Sequence, residues 1–354
     1  EIFSLVNQVM RDSGYEEILS SGIVLTGGSC IMPGMVELGE DIFLKPVRRG
    51  VPKYRGSLSD MVSQPRAATV MGLLARELKP DHGEILLQGE ALLKVPQSRL
   101  RALRGQAMGM VFQEPMTALN PLHPIWKQIA EPLQLHQGMD LTAAKSRALE
   151  LLERVQLPRA KERLDAYPHQ LSGGQRQRVM ISIALACQPD ILIADEPTTA
   201  LDVTVQKEVL NLIRQLVAED GMGLLLISHD LGLMRDQVDR VMVMYGGAVV
   251  ESASTEALFD QRAHPYTQGL FAARPSLGLK RGTRLQTIPG NVPDIFNWPQ
   301  GCAFADRCPY VQANCRQSLP QLERVPNATH IASLPTPSEH WVRCPQWQHL
   351  ELAT

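Results

Sequence analysis

The residues best suited to chemistry are two adjacent carboxylates, Asp195 and Glu196, closing the apolar run Ile191-Leu-Ile-Ala194. Four apolar residues in a row fit a strand buried on both faces of a parallel sheet, and α/β folds place ligands at the carboxyl ends of such strands. Asp195 suits a water-mediated Mg²⁺ contact, and Glu196 suits polarising a water against the terminal phosphate of a nucleotide. Upstream, Leu171-Ser-Gly-Gly-Gln175 runs into a helical stretch from Arg176 to Cys187. Serine caps helix N-termini, glycine exposes backbone N–H groups, and the helix dipole favours an anion there. Ser172, Gly173, Gly174 and Gln175 are therefore a candidate phosphate sensor. His229 follows the apolar strand Leu224–Ile227, where it can meet a phosphate oxygen, and Gln113 ends the strand Gly109-Met-Val-Phe112, where it can touch metal and attacking water. Asp202, six residues past Glu196, is placed to reach across a dimer interface. Each feature alone has a plainer use: a solvated acidic pair, an ordinary capped helix, a structural histidine.

The elements that must hold these groups alternate along the middle of the chain. Strands over Glu84–Gln88, Met108–Phe112, Ile191–Ala194, Gly223–Ser228 and Val241–Met244, with amphipathic helices such as Val203–Val217 between them, predict an α/β nucleotide-binding domain over residues 76–260. The 354 residues suffice for two or three domains, and 44% hydrophobic content excludes a disordered polymer. A formal net charge of −2 predicts no nucleic-acid partner. Apolar runs such as Gly223–Ile227 are too short to span a bilayer. The opening Glu1-Ile-Phe-Ser has neither a signal peptide nor a starting Met, so the expectation is a cytoplasmic protein whose true N-terminus is missing.

Taken together and in order, these residues resemble the ABC-transporter ATPases. The resemblance implies that Gln113 is the Q-loop residue, Leu171–Gln175 the signature motif, Ile191–Glu196 the Walker B strand, Asp202 the D-loop and His229 the switch histidine. It implies an ABC-type P-loop NTPase domain with a RecA-like core and a helical subdomain, using ATP and Mg²⁺. Phe112-Gln-Glu-Pro-Met-Thr-Ala-Leu-Asn-Pro121, Tyr167-Pro-His-Gln-Leu171 and His264-Pro-Tyr-Thr267 narrow this to the dipeptide, oligopeptide and nickel importer ATPases. Such proteins pair with a second ATPase subunit, like or unlike, and receive membrane permease subunits near Glu114–Asn120. They serve a periplasmic solute-binding protein indirectly, from the inner face of the bacterial cell membrane. Peptides, glutathione or nickel all fit as solute.

Residues 1–75 read differently. The strand Gly22–Leu25, the turn Thr26-Gly-Gly28 and a helix opened by Pro33-Gly34 are consistent with an ordinary turn or with a backbone approach to nucleotide. Ile23-Val-Leu-Thr-Gly-Gly28, Pro46-Val-Arg-Arg-Gly-Val-Pro52 and Gln64-Pro-Arg-Ala-Ala-Thr-Val-Met-Gly-Leu73 resemble the C-terminal end of FtsA, the actin-like cell-division ATPase. That resemblance covers about the last fifth of such a protein, and implies that Gly27 and Gly28 lie beside adenosine. The phosphate-binding loops and the membrane-binding helix of that family are not found.

A phosphate loop needs Gly-x-x-x-x-Gly-Lys-[Ser/Thr], so that backbone N–H groups wrap the phosphates and Lys meets their oxygens. No Gly-Lys pair occurs in this sequence. The expected architecture is thus a truncated ABC domain preceded by an actin-like-fold fragment, impaired alone and able at most to complete a partner's ATP site. The alternatives are a filament-binding division fragment or a non-functional gene fusion. Residues 261–354 form a third segment carrying Cys302, Cys308, Cys315 and Cys344. In a cytoplasmic protein such clustering argues for metal before disulfide. Wide spacing counts against a zinc ribbon, so a [4Fe–4S] cluster stands ahead of zinc, with unligated thiols as a third option. Cys187 and Cys30 read as small buried hydrophobes.

Overall fold

The computed structural model describes residues 23–25, 47–49, 84–113, 115–199, 201–273, 287–293, 298–326 and 339–350. Gly27, Gly28, Cys30 and the helix expected from Pro33-Gly34 lie outside these described residues. In the N-terminal region, β1 (Ile23–Leu25) pairs in parallel with β2 (Val47–Arg49). The strand expected over Glu84–Gln88 is shorter: β3 (Leu86–Leu87) turns back on β4 (Glu90–Ala91) through Gln88 and Gly89, both with φ positive at 50° and 82°. Positive φ at both turn residues is the geometry that matches the twist of a two-residue hairpin.

The chain divides into two compact units after Asp195. In the first, β5 (Met108–Val111) pairs in parallel with β6 (Ile191–Asp195). Three helices of this unit pack on one another, α1 (Ile125–Gln137), α2 (Leu141–Arg154) and α3 (Gly173–Ala184), and α3 lies against β5. Helix α1 presents Ile125, Ile129 and Leu133 on one stripe at fourfold spacing, all fully buried. Such a stripe contributes roughly 1.5–3 kcal/mol per side chain by burial. Asp140 caps α2 through Thr142 and Ala143 N–H groups at 2.9 Å, and Ala144, Ala148, Leu151 and Leu152 form its buried face. Gly109 of β5 is required by packing. A Cβ there would sit 2.4 Å from the carbonyl oxygen of Ala184, so the strand can lie against the end of α3 only without a side chain.

In the second unit, α4 (Val203–Asp220) buries Val209, Leu210, Leu212, Ile213 and Leu216, and ends on Gly221 in the left-handed conformation. Then come β7 (Gly223–Ile227), β8 (Arg240–Tyr245) and β9 (Ala248–Ser254). Helices α5 (Thr255–Asp260) and α6 (Pro265–Ala272) follow, then β10 (Glu323–Arg324) and β11 (Trp341–Val342). The last four strands form one antiparallel sheet in the order β10-β11-β9-β8. Val241, Val243 and Tyr245 alternate inward along β8 and pack with Val250, Leu258 and Phe304. Residues 261–354, weak in periodic pattern, are therefore joined to the rest of this unit by sheet pairing as well as by packing.

Candidate nucleotide site and buried polar hub

In the first unit, the register Val111↔Ala194 sends β5 and β6 out at the same end. Half-buried Gln113 follows one strand, and Asp195, 3% exposed, ends the other. The expected helix over Arg176–Cys187 instead begins at Gly173 and ends at Ala184, because Ser172 is its cap. Ser172 Oγ accepts from the Gln175 N–H (3.4 Å), while Gln175 Oε1 accepts from the Ser172 N–H (3.1 Å). This reciprocal capping box leaves Ser172 exposed at a helix N-terminus whose first turn holds no acidic residue. Arg178 donates to the Val155 carbonyl (2.8 Å), tying α3 to the end of α2.

In the second unit, Glu196 is 5% exposed, and its backbone has φ of 42°, an uncommon left-handed conformation for a residue with a side chain. Its N–H donates to the Ile227 carbonyl at the end of β7 (2.9 Å), which fixes it beside the segment carrying His229. The carboxylate then takes two partners. His229 Nδ1 lies 3.1 Å from Oε1, and Thr199 Oγ1 donates to Oε2 at 3.0 Å. Thr199 was not among the residues expected from sequence. Asp202 caps α4, accepting from the Val205 N–H (3.1 Å). Cys187 is buried as expected, its thiol donating to the Pro132 carbonyl (3.5 Å), and burial raises its pKa.

A second polar constellation, absent from the sequence reading, lies deeper in this unit. Glu251 in β9 is fully buried. Its Oε1 accepts from the Ala263 N–H (2.7 Å) and lies 2.8 Å from His340 Nε2, while Oε2 accepts from the His264 N–H (3.0 Å). His264 in turn caps α6, its Nδ1 accepting from the Tyr266 N–H (3.0 Å). Burial pushes the His264 pKa down to about 4 against an opposing pull from Glu251. One carboxylate thus holds β9, the entry to α6 and the entry to β11.

The four clustered cysteines line one cavity with His264 and Phe304. Among the described residues no group of three or more His, Cys, Asp or Glu side chains is found placed to hold an ion, so the metal expected there is not shown. Among the described residues no helix is long and apolar enough to cross a membrane.

Comparison with known proteins places these features. Residues 68–199 match the family model described as ABC transporter, and residues 250–315 the model described as oligopeptide/dipeptide transporter, C-terminal region. A protein of Brucella melitensis biotype 1, named as a peptide import ATP-binding protein, is 44% identical over 293 residues, covering 80% of this chain and 83% of that protein. One of Brucella abortus strain 2308 with the same description is 51% identical over 238 residues, covering 67% and 71%. A dimeric ATP-binding cassette solved in a post-hydrolysis state with ADP and phosphate is 30% identical, with a TM-score of 0.48 over 53% of this chain and 80% of that one. The chain belongs to the ATP-binding proteins of ABC transporters, of the oligopeptide/dipeptide importer type.

Proposed function

We propose that this chain serves peptide import as one half of a paired ATPase, lending Ser172 and Gly174 to an ATP molecule held by a partner subunit. The observation that carries this reading is the exposed, capped N-terminus of α3, which offers backbone N–H groups and a hydroxyl with no carboxylate in its first turn. With no Gly-Lys pair in the sequence, the chain's own Glu196, His229 and Asp202 would face a site without a lysine grip on phosphate. Gln113 and Asp195 offer the hard oxygen donors that Mg²⁺ takes, and that ion would neutralise phosphate charge. The partners in this reading are a second ATPase subunit, the same or different, and permease subunits docking near Glu114–Asn120. A periplasmic solute-binding protein acts indirectly, and the chain sits on the inner face of the cell membrane. The test is equilibrium Mg-ATP binding and steady-state hydrolysis by the purified chain, alone and mixed with a subunit bearing an intact phosphate loop. Activity is expected only in the mixture and is lost in Ser172→Arg; turnover by the chain alone refutes the reading.

A second reading takes residues 1–75 as an FtsA-like fragment that binds a filament partner. What supports it is the likeness of Ile23-Val-Leu-Thr-Gly-Gly28, Pro46-Val-Arg-Arg-Gly-Val-Pro52 and Gln64-Pro-Arg-Ala-Ala-Thr-Val-Met-Gly-Leu73 to that family. Pull-down with FtsZ or full-length FtsA tests it, and absence of binding to both removes it.

A further inference from the structure

Glu196 is held at more points than an acid at a strand end needs. Its N–H donates to the Ile227 carbonyl (2.9 Å), and its own carbonyl accepts from the Thr199 N–H (3.1 Å). The second bond closes a turn over Glu196-Pro197-Thr198-Thr199, with proline at the position where its fixed φ is favoured. That turn is fastened to α4. The Thr198 carbonyl accepts from the Leu201 N–H (3.2 Å) and from the side-chain amide of Gln206 (3.2 Å). Thr199 therefore reaches Glu196 twice, through its N–H and through Oγ1, which donates to Oε2 at 3.0 Å. With the backbone fixed, the hydroxyl sets the direction of the carboxylate, and Oε1 comes to lie 3.1 Å from His229 Nδ1.

The two ring nitrogens of His229 are in unlike surroundings. The side chain is 65% exposed, and no hydrogen bond to Nε2 is found among the described residues. Water can serve Nε2 as donor or as acceptor, so the partner of Nδ1 decides where the hydrogen sits. A carboxylate accepts and does not donate, so Oε1 bonds to Nδ1 only when Nδ1 carries the hydrogen. We propose that Thr199 is a positioning residue of this site, its hydroxyl fixing the Glu196 carboxylate so that His229 carries its hydrogen on Nδ1. Nε2 is then the lone-pair atom. It accepts a hydrogen from water, and donates to a phosphate oxygen only after taking up a proton, while Nδ1–H stays on Glu196 in both forms. The importance of Nε2 rests on the reading of Glu196 and His229 as parts of a nucleotide site, but the tautomer is set without nucleotide.

The test uses the full chain, isotope-labelled in its histidine rings, and records long-range proton–nitrogen correlation spectra at alkaline pH with neither nucleotide nor partner subunit present. His229→Gln identifies the signal. The expected result is a hydrogen on Nδ1 in the wild type, the tautomer that free histidine favours less. Thr199→Val removes the hydroxyl at nearly constant shape, and Thr199→Ala removes it without a branched side chain. In either, the ratio of Nδ1–H to Nε2–H should fall roughly tenfold, the scale of one hydrogen bond. Thr199→Ser should restore it. A hydrogen on Nε2 in the wild type overturns the proposal, and so does a folded Val or Ala variant with the wild-type ratio. Failure of both hydroxyl-free variants to fold overturns it too, since Thr199 would then serve stability rather than position. ATPase assays of the mixed subunits test the paired-ATPase reading separately, so either can fail while the other stands.

Discussion

His264 makes the stability of the second unit depend on acid in a way that can be separated from every other group. Its ring is buried and neutral, and Nδ1 must stay unprotonated to accept from the Tyr266 N–H. Burial holds the pKa at about 4 in the folded state against 6.5 for the unfolded chain. The unfolded state therefore binds the proton first as pH falls. Stability is whole above about pH 6.5 and is lost progressively down toward pH 4. Between pH 7.5 and pH 5 the linkage removes about 2 kcal/mol, from roughly 1.5 pKa units of unequal protonation at 1.36 kcal/mol each. His264→Asn retains a capping oxygen but has nothing to titrate. It also removes the ring's contact with Phe304 (centroids 6.0 Å apart), an offset independent of pH. The comparison is the pH dependence, read from equilibrium urea unfolding at both values. The wild type should fall about 2 kcal/mol further than the variant. Parallel losses, within about 0.5 kcal/mol, would show that His264 is not held neutral and that its cap does not exist as described.

Other consequences follow from particular contacts. Glu251→Ala strands two backbone N–H groups and an imidazole in a buried site, and should cost about 4 kcal/mol in unfolding experiments, with Glu251→Gln recovering part of it. Gly109→Ala should destabilise by about 2 kcal/mol in the same assay, because the obstructing atom is the Ala184 backbone oxygen and no side-chain rotation relieves it. Burial pushes the Cys344 thiol up to about 12. Its alkylation in the folded chain at pH 8 should run roughly a thousandfold slower than that of an unperturbed thiol and speed up about tenfold per pH unit, as followed by mass spectrometry.

What could be read from the residues alone was whatever a short stretch of chain decides for itself. Ile191–Ala194 announces a buried strand because every position in the run is apolar. Ser172 and Gln175 stand at the spacing of a capping box, so the start of α3 was legible within a residue or two. Thr199 was not, because its donation to Glu196 depends on the left-handed backbone at that glutamate, and a Pro-Thr-Thr sequence does not encode it visibly. The four cysteines announced that they meet but not how. Their distances along the chain are compatible with a metal centre, a disulfide or neither.

Glu251 shows most directly why the C-terminal extension resisted reading. Its partners lie 12, 13 and 89 residues along the chain, so no window wide enough for periodicity contains them. In sequence it is one acid in a strand, which reads as a solvent-facing position. In the fold it is an anchor with no exposure. It also makes the attachment directional. A hydrophobic seam tolerates sliding, whereas a buried carboxylate with three donors accepts one register or pays the cost of leaving them unpaired. The His264-Pro265 pair is the local trace of that constraint: a capping side chain followed by the residue best suited to the first helical position.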